Sequence, residues 1–189
     1  SRELVTIDRV DILRSFFRAA SDPVFLDKFS YLTDILITFL PPQDPNEVLF
    51  RMVKACLESA EEHPGMLPAI GLYFELWLLR LAGYLPDWAA CEACGRVFAD
   101  EEDAAVRPGF HLACDKCRNS SSRMVAARQR QMFRRFRNLS PLSFATEFAG
   151  NDGAVFELSS ILKGMISQAT GKLVSDERVA AAVNNVAPK

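Results

Sequence analysis

The sequence predicts a mainly α-helical protein: a helical bundle with an embedded four-cysteine zinc ribbon, preceded by a remnant N-terminal strand. Three observations carry that prediction. Apolar residues recur at 3.6-residue spacing, proline and glycine punctuate the ends of those stripes, and two CxxC pairs fall in the one long stretch where the helical pattern fails. With 189 residues, 49% of them hydrophobic and 24% charged, the chain can bury one good core or two small ones, which excludes disorder. Its longest uncharged run, residues 63–74, falls well short of the roughly 20 apolar residues that a bilayer-spanning helix needs. Arg2, Glu3, Asp8, Arg9, Asp11, Arg14 and Arg18 near the start exclude the apolar core of a secretory signal, so the expected compartment is the cytoplasm. The chain opens on Ser1 instead of Met, which fits trimming or a segment upstream.

Taken in order, Val5-Thr6-Ile7 is a β-branched run suited to a short strand, and from about Asp8 the period becomes helical. A lone strand leaves its edges unpaired, so either it pairs elsewhere or most of its sheet lies upstream. Asp22 can cap a helix with Pro23 at its first position, and Phe25, Phe29, Leu32, Leu36, Phe39 and Leu40 share one face until Pro41-Pro42 stops it. Asp44 opens a second helix that carries Val48, Leu49, Met52, Val53, Cys56 and Leu57 and ends at His63-Pro64-Gly65. Residues 67–82 read as a third, largely buried helix with Gly83 just past its end. Between residues 84 and 120 helical patterning stops, and short strands are expected near Val97-Phe98 and Phe110-His111-Leu112. Ser122 can then cap a helix to about Arg137, residues 138–141 make a turn, and residues 156–169 and 176–183 read as two further helices. The domain reading is 1–7, the remnant strand; 8–86, the first part of the bundle; 87–120, the ribbon; and 121–189, the second part.

The chemistry concentrates in Cys91, Cys94, Cys114 and Cys117, two CxxC pairs separated by 19 residues, a spacing suited to a four-cysteine zinc site. Two residues between cysteines let both thiolates of a turn face one ion, and Gly95 suits the tight backbone. Four thiolates leave no open position for water, so Zn2+ here is a structural cofactor. Two disulfides would require an oxidising compartment, and a redox dithiol would need only one pair. Cys56 lies on an apolar face and reads as a small buried hydrophobe; His111, three residues before Cys114, is a spare ligand that the four cysteines make unnecessary; His63 reads as an exposed helix end.

Net charge is -2, yet residues 118–137 contain Arg118, Arg123, Arg128, Arg130, Arg134, Arg135 and Arg137 and no carboxylate, leaving -9 for the rest of the chain. Like charges three and four residues apart on a helix repel, so something must offset them. Three partners remain open: nucleic-acid phosphate, an internal acidic surface such as residues 100–103, and an acidic protein. Met124, Val125, Met132, Phe133 and Phe136 interleave with the arginines as the buried face of that helix. No glycine-rich phosphate loop, HExxH motif or nucleophile constellation appears, so no enzyme is expected.

The stretch from Tyr73 through Asp87 (YFELWLLRLAGYLPD), running into Cys91-x-x-Cys94-Gly95 and followed by Cys114 and Cys117, resembles the RecO family of bacterial recombination mediators and DNA repair proteins. The resemblance covers nearly the whole chain and is specific at residues 73–95, Cys114 and Cys117. It implies an N-terminal OB-fold, of which this chain would keep only the last strand, then a helical domain with an embedded zinc ribbon. It further implies a non-enzymatic DNA-binding, nucleoid-associated factor that anneals single-stranded DNA, acts with a RecR-like protein, binds the acidic tail of single-stranded DNA-binding protein and helps load a recombinase. The zinc ligands would be the same four cysteines. The arginines are inferred from charge alone, and a zinc-stabilised scaffold that docks an acidic partner without touching DNA is the alternative.

Overall fold

The computed structural model describes residues 8–12, 14–40 and 45–171. Six α-helices and a three-stranded sheet account for most of them. Helix α1 (Pro23–Phe39) starts where Asp22 accepts a hydrogen bond from the Val24 N–H at 2.9 Å and Pro23 takes the first position, where a missing N–H costs nothing. Helix α2 (Glu47–Glu62) is capped by Asn46, whose side chain accepts from the Leu49 N–H at 3.0 Å; Asp44 lies outside the described residues. Helix α3 (Leu67–Leu81) is apolar on nearly every side and forms the axis of the bundle, packed by α1, α2, and two later helices, α5 (Pro141–Glu147) and α6 (Asp152–Thr170).

Three local expectations change. Among the described residues, 8–12 and 14–18 hold no helix, and a 3-10 turn, Ala19–Ser21, precedes α1. Val10, Ile12 and Phe17 there are exposed, so no core face rewards a helix, and Arg14 reaches across to Glu61 and Glu62 of α2 instead of pairing along its own segment. Met124–Val125 is a strand, β3, and the next helix, α4 (Ala127–Arg135), begins after Ala126 without help from Ser122. Its first N–H groups are satisfied by the Asp103 carboxylate, at 2.8 Å from the Ala127 nitrogen, and by the Gln129 side chain, at 2.7 Å from the Ala126 nitrogen. Finally, Ser140-Pro141, read as part of a turn, caps and opens α5, in which Phe144 is fully buried. The remnant strand at residues 1–7 and the helix at 176–183 lie outside the described residues.

One continuous core runs from Leu32 and Leu72 through Phe74, Phe136, Phe144 and Phe148 and includes Trp88, Phe98, Leu112 and Val125 of the region between α3 and α4. Glu75 is fully buried in it, with the Lys28 ammonium 3.7 Å from one carboxylate oxygen and the Lys28 stem passing over Gly71. Any β-carbon at Gly71 would collide with that stem, so the glycine makes room for the lysine to reach the buried carboxylate.

Candidate metal centre and basic surface

Two knuckle turns present the four cysteines. In the first, Gly95 adopts a left-handed φ of 72°, its N–H donates to the Cys91 carbonyl at 2.8 Å, and the Cys91 N–H donates to the Arg96 carbonyl at 2.8 Å. In the second, the Cys117 and Arg118 N–H groups donate to the Cys114 carbonyl at 2.9 and 3.0 Å. The strands near them are short: β1 (Ala104–Val106) is central, flanked antiparallel by β2 (Leu112–Ala113) and β3, while Ala90 and Val97 form only an isolated bridge. Phe110-His111, expected to begin a strand, belongs to a turn in which the Phe110 N–H donates to the Arg107 carbonyl.

The four sulfurs lie within 4.8 Å of one another, and Cys94 Sγ and Cys114 Sγ are 3.9 Å apart. A tetrahedron with Zn–S bonds of about 2.3 Å has sulfur–sulfur edges near 3.8 Å, so the set fits a single four-thiolate ion. Cys91 and Cys114 are buried, Cys117 is half-buried and Cys94 is exposed. Burial pushes the Cys91 thiol up, but the N–H groups of Cys114, Cys94 and Ala93 outweigh it and bring the pKa to about 6. Cys117, hydrogen-bonded to Cys114 and Cys94, is pushed up to about 12. His111 turns instead toward Glu92, with Nε2 4.0 Å from its carboxylate, and Cys56 is buried against Met52, its thiol pushed up by burial.

The knuckle region is clamped onto the bundle. Phe110 adopts a left-handed φ of 63° and lays its ring against α6 at Gly164, where an added β-carbon would stand 3.1 Å from the ring. The Trp88 indole N–H donates to the Phe110 carbonyl at 2.8 Å, and its ring stacks on Phe133 of α4 with centroids 4.0 Å apart.

The arginines do much of the remaining clamping. Arg130 is buried, sits over the Phe98 ring and donates to the carbonyls of Ala99 and Glu102; burial lowers its pKa. Arg134 donates to Asp100 at 2.6 Å, Arg135 pairs with Glu147 at 2.7 Å, and Arg118 pairs with Asp115 at 2.7 Å. Arg123 donates to the Glu157 carbonyl of α6, and Arg128 to the Glu147 carbonyl and the Asn151 side chain while covering the Phe148 ring. Arg137 has no ion pair among the described residues and lies over Phe136. The residues brought together are thus the four cysteines; the seven arginines spread over several neighbours. Sequence reading missed Arg96, which hydrogen-bonds Glu102 at 2.8 Å, and the Asp103 cap, because neither partner is within helical spacing. Among the described residues no helix is long and apolar enough to cross a membrane.

A mainly helical protein whose bundle carries a docked four-cysteine knuckle pair is the class that this fold and site define. The family model described as Recombination protein O C terminal matches residues 29–176, and the chain belongs to that family. It is 33% identical over 114 residues to DNA repair protein RecO of Koribacter versatilis (strain Ellin345), covering 60% of this chain and 43% of the relative. It is 32% identical over 123 residues to DNA repair protein RecO of Synechococcus sp. (strain JA-3-3Ab), covering 62% of this chain and 40% of the relative. The matched stretch therefore spans less than half the length of these relatives. No solved structure gives a significant match.

Proposed function

We propose that this chain is the helical and metal-binding part of a non-enzymatic DNA repair and recombination factor that binds single-stranded DNA. The observation that carries the reading is family membership over residues 29–176, together with relatives that bear the name DNA repair protein RecO. In this reading Cys91, Cys94, Cys114 and Cys117 hold one structural Zn2+, supported by sulfurs within 4.8 Å and an all-thiolate donor set. Zinc there cross-links two knuckles that hydrogen bonds alone hold loosely, and so keeps Trp88 and Phe110 seated on α4 and α6.

The finer expectations belong to the same proposal: annealing of complementary strands, a RecR-like protein and the tail of single-stranded DNA-binding protein as partners, help in loading a recombinase, and a cytoplasmic, nucleoid-associated location. So do the boundaries at residues 8–86, 87–120 and 121–189, and DNA contact by the exposed members of the arginine series. Titrating the chain into a fluorescent single-stranded oligonucleotide at several salt concentrations tests the central claim. Binding that weakens steeply with salt is the expected result, because phosphate contacts release counterions. No binding at low salt would favour the second reading, a protein-docking scaffold, which one observation supports: six of the seven arginines already bond to groups of the protein itself.

A further inference from the structure

With those six set aside, Arg137 alone of the series at residues 118–137 makes no bond among the described residues, and a second such arginine comes from outside the stretch that charge counting selects. Arg137 and Arg80, which lies 57 positions earlier in the last turn of α3, are both exposed and make no ion pair or hydrogen bond among the described residues. The Arg80 guanidinium carbon stands 5.2 Å from the Trp77 ring centroid and that of Arg137 5.8 Å from the Phe136 ring centroid, and those two rings meet edge to face with centroids 5.5 Å apart. Phe136 is fully buried and Trp77 half-buried, so both arginines rest on a rigid aromatic floor anchored in the core.

This run of ring contacts links both guanidinium groups to one aromatic pair, and neither has an ion-pair partner among the described residues. The planar guanidinium fork matches phosphate oxygens bidentately, and the aromatic floor limits the rotamer freedom lost on binding. Arg137 also borders a cleft of about 190 Å³ between α4 and the first knuckle, whose walls carry Arg134 and the exposed Val97 together with the carboxylates of Asp87 and Asp100.

We propose that Arg80 and Arg137 form a phosphodiester seat for single-stranded nucleic acid, braced by Trp77 and Phe136. The seat deepens the DNA-binding reading above and rests on it. It brings together the end of α3 and the turn after α4, so it exists only when the bundle is folded. Its contacts are to backbone phosphate and carry no sequence preference.

The test uses the whole chain and oligothymidylate of about 20 nucleotides, followed by anisotropy between roughly 50 and 200 mM salt. R80A/R137A should weaken binding roughly 10- to 30-fold near 0.1 M salt and reduce the salt slope by about 1.4, the value for two single-strand phosphates. R80K/R137K, which keeps the charge, should retain most of that slope. R51A, which removes an arginine of α2 that is paired with Glu47 and lies outside the series, should bind as the unaltered chain does. If the unaltered chain binds and R80A/R137A leaves the slope unchanged, the seat is overturned while DNA binding stands. If the unaltered chain binds no oligonucleotide, or binds only an acidic peptide through these arginines, both the seat and the DNA-binding reading are overturned.

Discussion

In the bundle, α3 buries Ile70, Leu72, Phe74, Leu76, Leu78 and Leu79 against four other helices, and its backbone groups pair along its own length. In the knuckle region the strands are two or three residues long, and the first knuckle is bounded by a single bridge between Ala90 and Val97. The bundle thus contains its own stabilisation, whereas the knuckles borrow theirs from four sulfurs, from Phe110 against Gly164, and from arginines that reach out of α4. A short, glycine-turned segment cannot bury enough apolar area to offset its chain entropy, so a cross-link and a docking surface must take the place of a core.

The largest effect that would break this comparison comes from the cysteines. Replacing Cys91 and Cys94 with Ser should abolish metal binding and unfold the knuckle region while most helical circular dichroism survives; collapse of the helical signal would show that the bundle also depends on the metal. Phe74→Ala attacks the other side. Its side chain is fully buried at the centre of α3, so the thermal unfolding of the bundle should lose about 3–5 kcal/mol with metal stoichiometry unchanged until the chain melts. Gly164→Leu tests the joint between the two regions. Forcing a side chain into the Phe110 ring should cost about 1–3 kcal/mol and raise protease sensitivity around Phe110 without ejecting the metal.

Arg134→Ala should produce the smallest change, a shift in the melting midpoint of no more than about 2 °C, because its pair with Asp100 is solvent-exposed on both sides. That shift should depend on pH with a definite sign. The hydrogen bond from Arg134 holds the Asp100 carboxyl below the usual carboxylate range, and Arg96 does the same to Glu102. A carboxyl depressed by folding contributes above its unfolded pKa, about 4, and loses that contribution as pH falls through the lower folded value. Melting curves of Arg134→Ala and the unaltered chain should therefore differ near pH 7 and converge in strong acid.

Much of the fold was legible because its signals are local. Asp22-Pro23 started α1, proline and glycine bounded α2 and α3, and the CxxC spacing located the sulfur cluster, since each depends on residues within one or two turns of each other. What failed depended on distant partners. Residues 8–18 carry a helical pattern, yet Val10, Ile12 and Phe17 are exposed, and the start of α4 is fixed by Asp103, which lies 24 residues before Ala127. The β1 strand pairs with both β2 and β3, a register that no periodicity in Ala104–Val106 announces.

The arginine series shows the division most clearly. By itself the sequence determined that the protein is mainly helical, that four cysteines cluster, and that positive charge is concentrated in residues 118–137. Only the tertiary structure decided which of those charges meet Asp100, Glu147 and the carbonyls of the knuckle turn, and that Arg80 joins Arg137 over Trp77 and Phe136. Charge is a property of each residue, but neutralisation is a property of distance. Electrostatic attraction and hydrogen bonding act over a few ångströms in space, and the chain sets those distances only when it folds.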